Sequence, residues 1–267
     1  MTKKICIIGG HGYVGKSVVD FFQDHYETVV RDVGLSADAG ADADMAVVCV
    51  PTPMGDEGRC DTSIVETVIA ESCFPLYLIK SAVPPGTTER LSNKYNKRIV
   101  VSPEYIGEGK YMMPWWDGKP HPTDMKKHNF QIFGGDRMDT TVMVEIFSKV
   151  LGPYAKYHQT DAKTAELVKY MENCFFATKV TFCHEFYRIA KVFGIDYSEL
   201  RELWLADERV DRGSTAVFDG ALGYSGKCLP KDISAIYEAT KDAGFESELL
   251  WQVMRTNKIQ RSTNGKF

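Results

Sequence analysis

At 267 residues, 44% apolar and 25% charged, the chain has the composition of a soluble globular protein, long enough for one large domain or two modest ones. A net charge of −4 argues against a broad basic surface for nucleic acid, and no apolar stretch is long enough to span a membrane. Seven cysteines without C-x-x-C spacing suggest reduced thiols, no metal site and a cytoplasmic setting, and the run Ile5–Ile8 is too short for a signal peptide.

Lys4–Ile8 reads as a buried parallel strand. It enters Gly10-His11-Gly12-Tyr13-Val14-Gly15, a G-x-G-x-x-G turn, and Val14, Val18, Val19 and Phe22 then mark a helix. A second strand, Thr28–Val30, ends at Asp32. Strand, glycine turn, helix, strand and acid together form a dinucleotide fingerprint, in which glycines let backbone approach a pyrophosphate and the acid binds a ribose diol. Asp32 would repel a 2′-phosphate, so the expected cofactor is NAD, with Arg31 as the moderating charge. Backbone at Tyr13 and Val14 belongs to the same cradle.

Met45–Val50 is a third strand, ending at Pro51-Thr52-Pro53, and the linker Val33–Asp44 shows no clear helix. A helix follows through Val65, Val68 and Ile69, capped by Asp61 or Thr62. Leu76–Ile79 leads to Lys80-Ser81-Ala82, and Arg98–Val101 leads to Glu104 and Glu108. Phe130–Phe133, a helix over Asp139–Val150 and a strand over Tyr154–His158 complete the unit. The alternation predicts an α/β, Rossmann-type, doubly wound parallel sheet over residues 1–160, binding its ligand at strand carboxyl ends. Pro51, Thr52, Ser81 and Glu108 stand at such ends.

Residues 161–267 read as an all-α domain. Asp161–Phe193 is one long central helix, apolar nearly all round and hence expected to be buried on most sides, with a second copy as a candidate packing partner. Lys169 and Asn173, four apart, share a face of it. Shorter helices follow at Ser198–Leu205, Pro230–Ala243 and Ser247–Lys258. The loop Gly223–Asp232 delivers Cys228 just before a helix expected to begin at Pro230, with Lys227 and Lys231 beside it. A helix start and nearby cations are what make a thiolate available.

The strings GHGYVG, VPTP, KSAVPPGTT, SPEYIGEG, TAELVKYMENCFFATK and GYSGKCLPKD, in that order over nearly the whole chain, resemble the UDP-glucose/GDP-mannose dehydrogenase family. The resemblance implies a four-electron oxidation of a nucleotide sugar, a UDP-sugar above all. NAD accepts a hydride from the C6 alcohol, Cys228 captures the aldehyde as a thiohemiacetal, a second NAD takes another hydride, and water hydrolyses the thioester. It makes Lys169 and Asn173 the oxyanion donors, Glu104 the base, and Asp232 the holder of water or of Lys169. Glu108, Lys169, Arg209 and Tyr224 would contact substrate, and a homodimer would form through the central helix.

The chain departs from the pattern in four places. It stops near Asn257, where the family continues into a further α/β domain, so a short form is expected. Ala82 stands where the pattern has threonine, with Ser81 as the candidate replacement hydroxyl. Ser225 replaces a glycine, which would strain the loop at positive φ. The linker after Asp32 is short, whereas Lys110–Asn129 is long and carries Trp115, Trp116, Lys119, His121, Lys126, Lys127 and His128, which could grip a base and a diphosphate. Two other readings stay open: a two-electron β-hydroxyacid-type dehydrogenase, which has no use for Cys228, and an NAD-binding non-catalytic subunit.

Overall fold

The computed structural model describes residues 3–36, 38–106, 124–218 and 220–263. Glu108, Trp115, Trp116, Lys119 and His121 lie outside the described residues. The chain folds as two compact units, Met1–Pro53 with Asp61–Lys169, and Met54–Cys60 with Tyr170–Phe267.

The first unit is a seven-stranded sheet: β1 (Lys4–Ile8), β2 (Glu27–Arg31), β3 (Met45–Val48), β4 (Tyr77–Ile79), β5 (Ile99–Val101), β6 (Phe130–Gly134) and β7 (Lys156–Thr160), in the order β2-β1-β3-β4-β5-β6-β7. Strand periodicity divides its core. Ile5, Ile7, Met45, Val47 and Leu78 face α1 (Tyr13–Phe22) and α4 (Arg137–Leu151). Cys6, Ile8, Ala46, Val48 and Ile79 face α2 (Ser63–Glu71) and α3 (Thr87–Tyr95). Because helices cover both faces, alternate residues of one strand are all apolar, which is why the strands read as continuous runs. Phe21, Phe22 and Phe147 close the first layer with ring centroids 4.8–5.3 Å apart. Each such buried aromatic contributes about 1.5–3 kcal/mol.

Three expectations change here. The sheet is mixed, because β6 runs antiparallel to β5, through the pair Val101 and Gly134. The last strand lies two residues later than Tyr154–His158, and Tyr154 itself is exposed. Helix α3 escaped the sequence reading because it has one buried aliphatic, Leu91, and otherwise buries the threonines Thr87 and Thr88. It is held from outside: buried Glu166 accepts from Gly86 N at 2.6 Å and Thr88 N at 2.8 Å, satisfying first-turn donors.

Helix α5 (Ala162–Val192) begins in the first unit and continues into the second, which adds α6 (Tyr197–Trp204), α7 (Cys228–Asp242) and α8 (Glu248–Thr263). The core of the second unit joins Tyr170, Cys174 and Ala177 of α5 to Ile233 and Ile236 of α7 and Val253 of α8. The excursion 54–60 belongs to this unit: Arg59 pairs with Asp242, and Gly58, at φ 79°, lies so close to Ser234 that a Cβ would overlap its hydroxyl. Contrary to expectation, α5 is not buried on most sides. Met171, Phe175, Phe182, Phe186 and Ile189 are exposed along it. No described helix is long and apolar enough to cross a membrane.

Candidate active site

The chain passes from β1 to β2 in one direction and returns past β1 to β3, so the switch point lies where the β1 and β3 loops diverge. Gly12 caps α1, whose first turn has no acidic residue and no side-chain cap, leaving a positive helix end for an anion. A Cβ on Gly15 would overlap the Gly9 carbonyl, and one on Gly10 would come within 2.7 Å of Val30 Cγ1. Both positions therefore require glycine. Asp32 accepts from His11 N and Val33 N, each at 2.8 Å. The His11 N–H holds its carboxyl below the usual carboxylate range, so it is an anion at neutral pH. Arg31 is turned to the Ala39 carbonyl, 3.2 Å away, and over the Phe74 ring. The cradle fits a dinucleotide whose ribose carries a free diol, which is NAD.

Two of the expected cofactor loops are laced together. Thr52 Oγ1 donates to Ala82 O at 2.9 Å, and Ser81 Oγ donates to Val50 O at 2.7 Å. The Ser81 proton is thus committed to backbone, and only its lone pairs remain to replace the hydroxyl missing at Ala82. Pro51, in the same loop, is exposed.

Glu104 follows β5. Its Oε2 accepts from Ile106 N at 2.7 Å and its Oε1 lies 3.5 Å from Lys169 Nζ. The Lys169 ammonium also sits over the Tyr105 ring, 5.4 Å from its centroid. A base and a cation are therefore held together in the first unit, in side chains with only 13% and 10% exposure.

Sequence reading assigned no role to Lys80, which the structure places in this cluster. It follows β4 directly, and a lysine closing a buried strand was the available signal. Its Nζ donates to Ser102 Oγ at 3.2 Å and Pro103 O at 3.0 Å, next to Glu104 in the chain. Burial brings its pKa from 10.5 down to about 8, against the opposing pull of Glu104 and Cys49. Between those values the unfolded chain binds more protons than the folded one, so stability rises with pH across that window. Urea unfolding of wild type and Lys80→Met from pH 7.5 to 10 is expected to show wild type gaining on the variant, with a slope approaching ~1.4 kcal/mol per pH unit. A pH-independent difference would refute the assignment.

The second unit holds the thiol. Cys228 is itself the first residue of α7, with Lys227 at the N-cap, so the helix starts two residues before Pro230. Pro230 then occupies the first turn, where its missing N–H costs no intrahelical bond. Cys228 is half-buried. The positive φ values of this loop fall at Gly223 and Gly226, not at Ser225, so the serine is unstrained. Of the two flanking cations, Lys231 is committed: its Nζ lies 2.5 Å from Asp232 Oδ1. Asp232, 1% exposed, also accepts from Asn173 Nδ2 at 2.5 Å. Its partners are therefore Asn173 and Lys231.

The remaining candidates are spread out. Tyr224 is buried in the helical core, where desolvation pushes its phenol up to about 12, and its carbonyl accepts from Asn257 Nδ2. Arg209 is exposed and paired with Asp207 at 2.6 Å. Lys126, expected at a diphosphate, pairs with Asp24 at 2.5 Å.

A dinucleotide cradle on a doubly wound sheet, followed by an all-α unit, defines a Rossmann-type NAD-binding protein. Residues 33–117 match the NAD binding domain, and residues 163–259 the central domain, of the UDP-glucose/GDP-mannose dehydrogenase family. The chain belongs to that family. It is 26% identical over 247 residues to a UDP-glucose 6-dehydrogenase of Pseudomonas aeruginosa, covering 84% of this chain and 51% of the relative. It is 30% identical over 245 residues to a UDP-N-acetyl-D-mannosamine dehydrogenase of Methanocaldococcus jannaschii, covering 84% and 53%. The chain thus spans about half the length of these curated relatives. A UDP-glucose dehydrogenase structure from Pyrobaculum islandicum shares the fold, with a TM-score of 0.77 at 24% identity, covering 97% of this chain and 68% of that one.

Proposed function

We propose that this chain catalyses the NAD-dependent four-electron oxidation of a nucleotide sugar, of the UDP-glucose to UDP-glucuronate type. The observation that carries the reading is Cys228 at the start of α7, on the helix whose Asp232 orients Asn173. The names of the relatives, both UDP-sugar dehydrogenases, support the substrate class.

Bound NAD supplies the two-electron acceptor at each oxidation. Glu104 takes the proton of the C6 alcohol as the hydride leaves, and Lys169 offsets the charge that develops on oxygen. The Cys228 thiolate adds to the aldehyde, giving a thiohemiacetal whose oxyanion Lys169 and Asn173 receive. A second hydride loss leaves a thioester, and water delivered by a carboxylate releases the acid and restores the thiol. Asp232 holds the Asn173 carboxamide in one orientation, so that its remaining N–H donor points at the developing charge. Gly10, Gly12, Tyr13, Val14, Gly15 and Asp32 hold the cofactor, with Pro51, Thr52, Ser81 and Glu108 beside it. Arg209, Tyr224 and Glu108 contact the substrate. A homodimer through α5 belongs to the same reading, supported by the exposed apolar residues Phe175, Phe182 and Phe186.

The test is the amount of NADH formed per nucleotide sugar consumed, with UDP-glucose first, then GDP-mannose, UDP-N-acetyl sugars and small hydroxyacids. Two NADH per product is expected. One would replace the reading with a two-electron dehydrogenase, and none, with NAD bound, with a non-catalytic subunit.

A further inference from the structure

The residue that organises the approach to Cys228 lies on α5. His184 is 4% exposed, and its Nδ1 accepts the Gly223 N–H at 2.6 Å. A ring nitrogen that accepts carries no proton, so in the neutral imidazole the proton sits on Nε2. The ring therefore ties down the chain at Gly223, five residues before the thiol. Gly223 has little room to shift: at φ 82°, a Cβ there would come within 2.5 Å of Asn257 Oδ1 and 2.7 Å of Arg261 Cγ. The next residue is gripped from α8, where Asn257 Nδ2 donates to Tyr224 O at 3.2 Å. Gln260 Nε2 ties α8 back to Thr181 O of α5 at 2.9 Å, one turn before His184.

We propose that neutral His184 is the positioning residue for the loop that delivers Cys228, with its Nδ1 lone pair setting Gly223. This deepens the reading of Cys228 as nucleophile, but its structural content does not depend on it. An imidazole can accept from one backbone N–H and donate to one backbone carbonyl only when it is neutral. A second proton on Nδ1 would face the Gly223 N–H, donor against donor, and release that end of the loop. The charged groups attached to the same segment are both cations. Arg201 of α6 donates to Thr215 Oγ1 at 2.9 Å, and Arg261 of α8 reaches Tyr224 O at 3.5 Å; the phenols of Tyr197 and Tyr224 add no negative charge near neutrality. Burial lowers the His184 pKa, against the raising effect of the Ala216 carbonyl. The folded chain thus binds fewer protons than the unfolded one just below the ordinary imidazole value, and the bond is lost only as the pH falls through the lowered value.

The experiment follows amide exchange at Gly223, as a protection factor corrected for intrinsic exchange, from pH 8 down to the onset of acid unfolding. Iodoacetamide labelling of Cys228, read by peptide mass spectrometry, accompanies it. His184→Leu removes this bond and is expected to lower Gly223 protection by about 10–100-fold, the effect of losing one buried hydrogen bond, and to change the Cys228 labelling rate in step. His184→Asn, whose Oδ1 can stand in for Nδ1, is expected to keep most of that protection and to abolish its loss at acidic pH. Wild-type protection in the Leu variant, or protection in wild type that does not fall on acidification, would overturn the proposal. Cys228→Ser leaves Gly223 protection unchanged if His184 acts as described, so failure of the nucleophile reading is distinguishable from failure of this one.

Discussion

Replacing Cys228 with serine is expected to stop uronic acid formation, with kcat falling on the order of 10⁴–10⁶-fold, the scale on which an enzyme loses its nucleophile. A hydroxyl has nearly the shape of the thiol, but at neutral pH it offers almost no anion, and the helix start beside it cannot change that by enough. The variant should still bind NAD, because the Gly10–Gly15 cradle and Asp32 lie in the other unit. Cofactor binding by fluorescence, alongside NADH formation with UDP-glucose, separates the two effects. A variant that still formed two NADH per product would remove Cys228 from the mechanism, and a wild-type protein that formed a single NADH, at a rate unchanged in the variant, would indicate two-electron chemistry.

The second large effect concerns stability. Asp232→Ala is expected to destabilise the helical unit by about 3–5 kcal/mol, because it leaves the partners of a buried ion pair without compensation. The carboxylate is buried and joins Lys231 to the buried Asn173, so its removal takes from both the acceptor they share. Adding Lys231→Met should restore part of the loss, since the ammonium then needs no partner. Urea unfolding monitored by circular dichroism measures both variants. A loss below 1 kcal/mol for Asp232→Ala would mean that these bonds add little, and that the aspartate serves chemistry alone.

Much of the first unit was legible because it depends on local rules. Ile5–Ile8 and Met45–Val48 are buried on both faces, so their position was readable without knowing their neighbours. Gly15 and Asp32 are spaced as the cradle requires. Helix α3 was not legible, because its stability comes from Glu166, 78 residues from Thr88 in sequence. Lys80 was hidden for a similar reason: a lysine after a strand looks solvated until Ser102, Pro103 and Glu104 fold over it.

The site divides in the same way. The dinucleotide fingerprint and the placing of Cys228 beside a helix start were readable from the residues alone, because each is set by neighbouring residues or by the order of adjacent elements. The partners of the charged groups emerged only when the chain folded. Folding paired Asp232 with Asn173 and Lys231, set Glu104 beside Lys169, placed positive φ at Gly223 and Gly226 instead of Ser225, and put His184 under the loop. Apart from Lys231, which neighbours Asp232 in the chain, the paired residues lie tens of positions apart. Hydrogen-bond and ion-pair energies depend on distance in space, which sequence spacing does not encode.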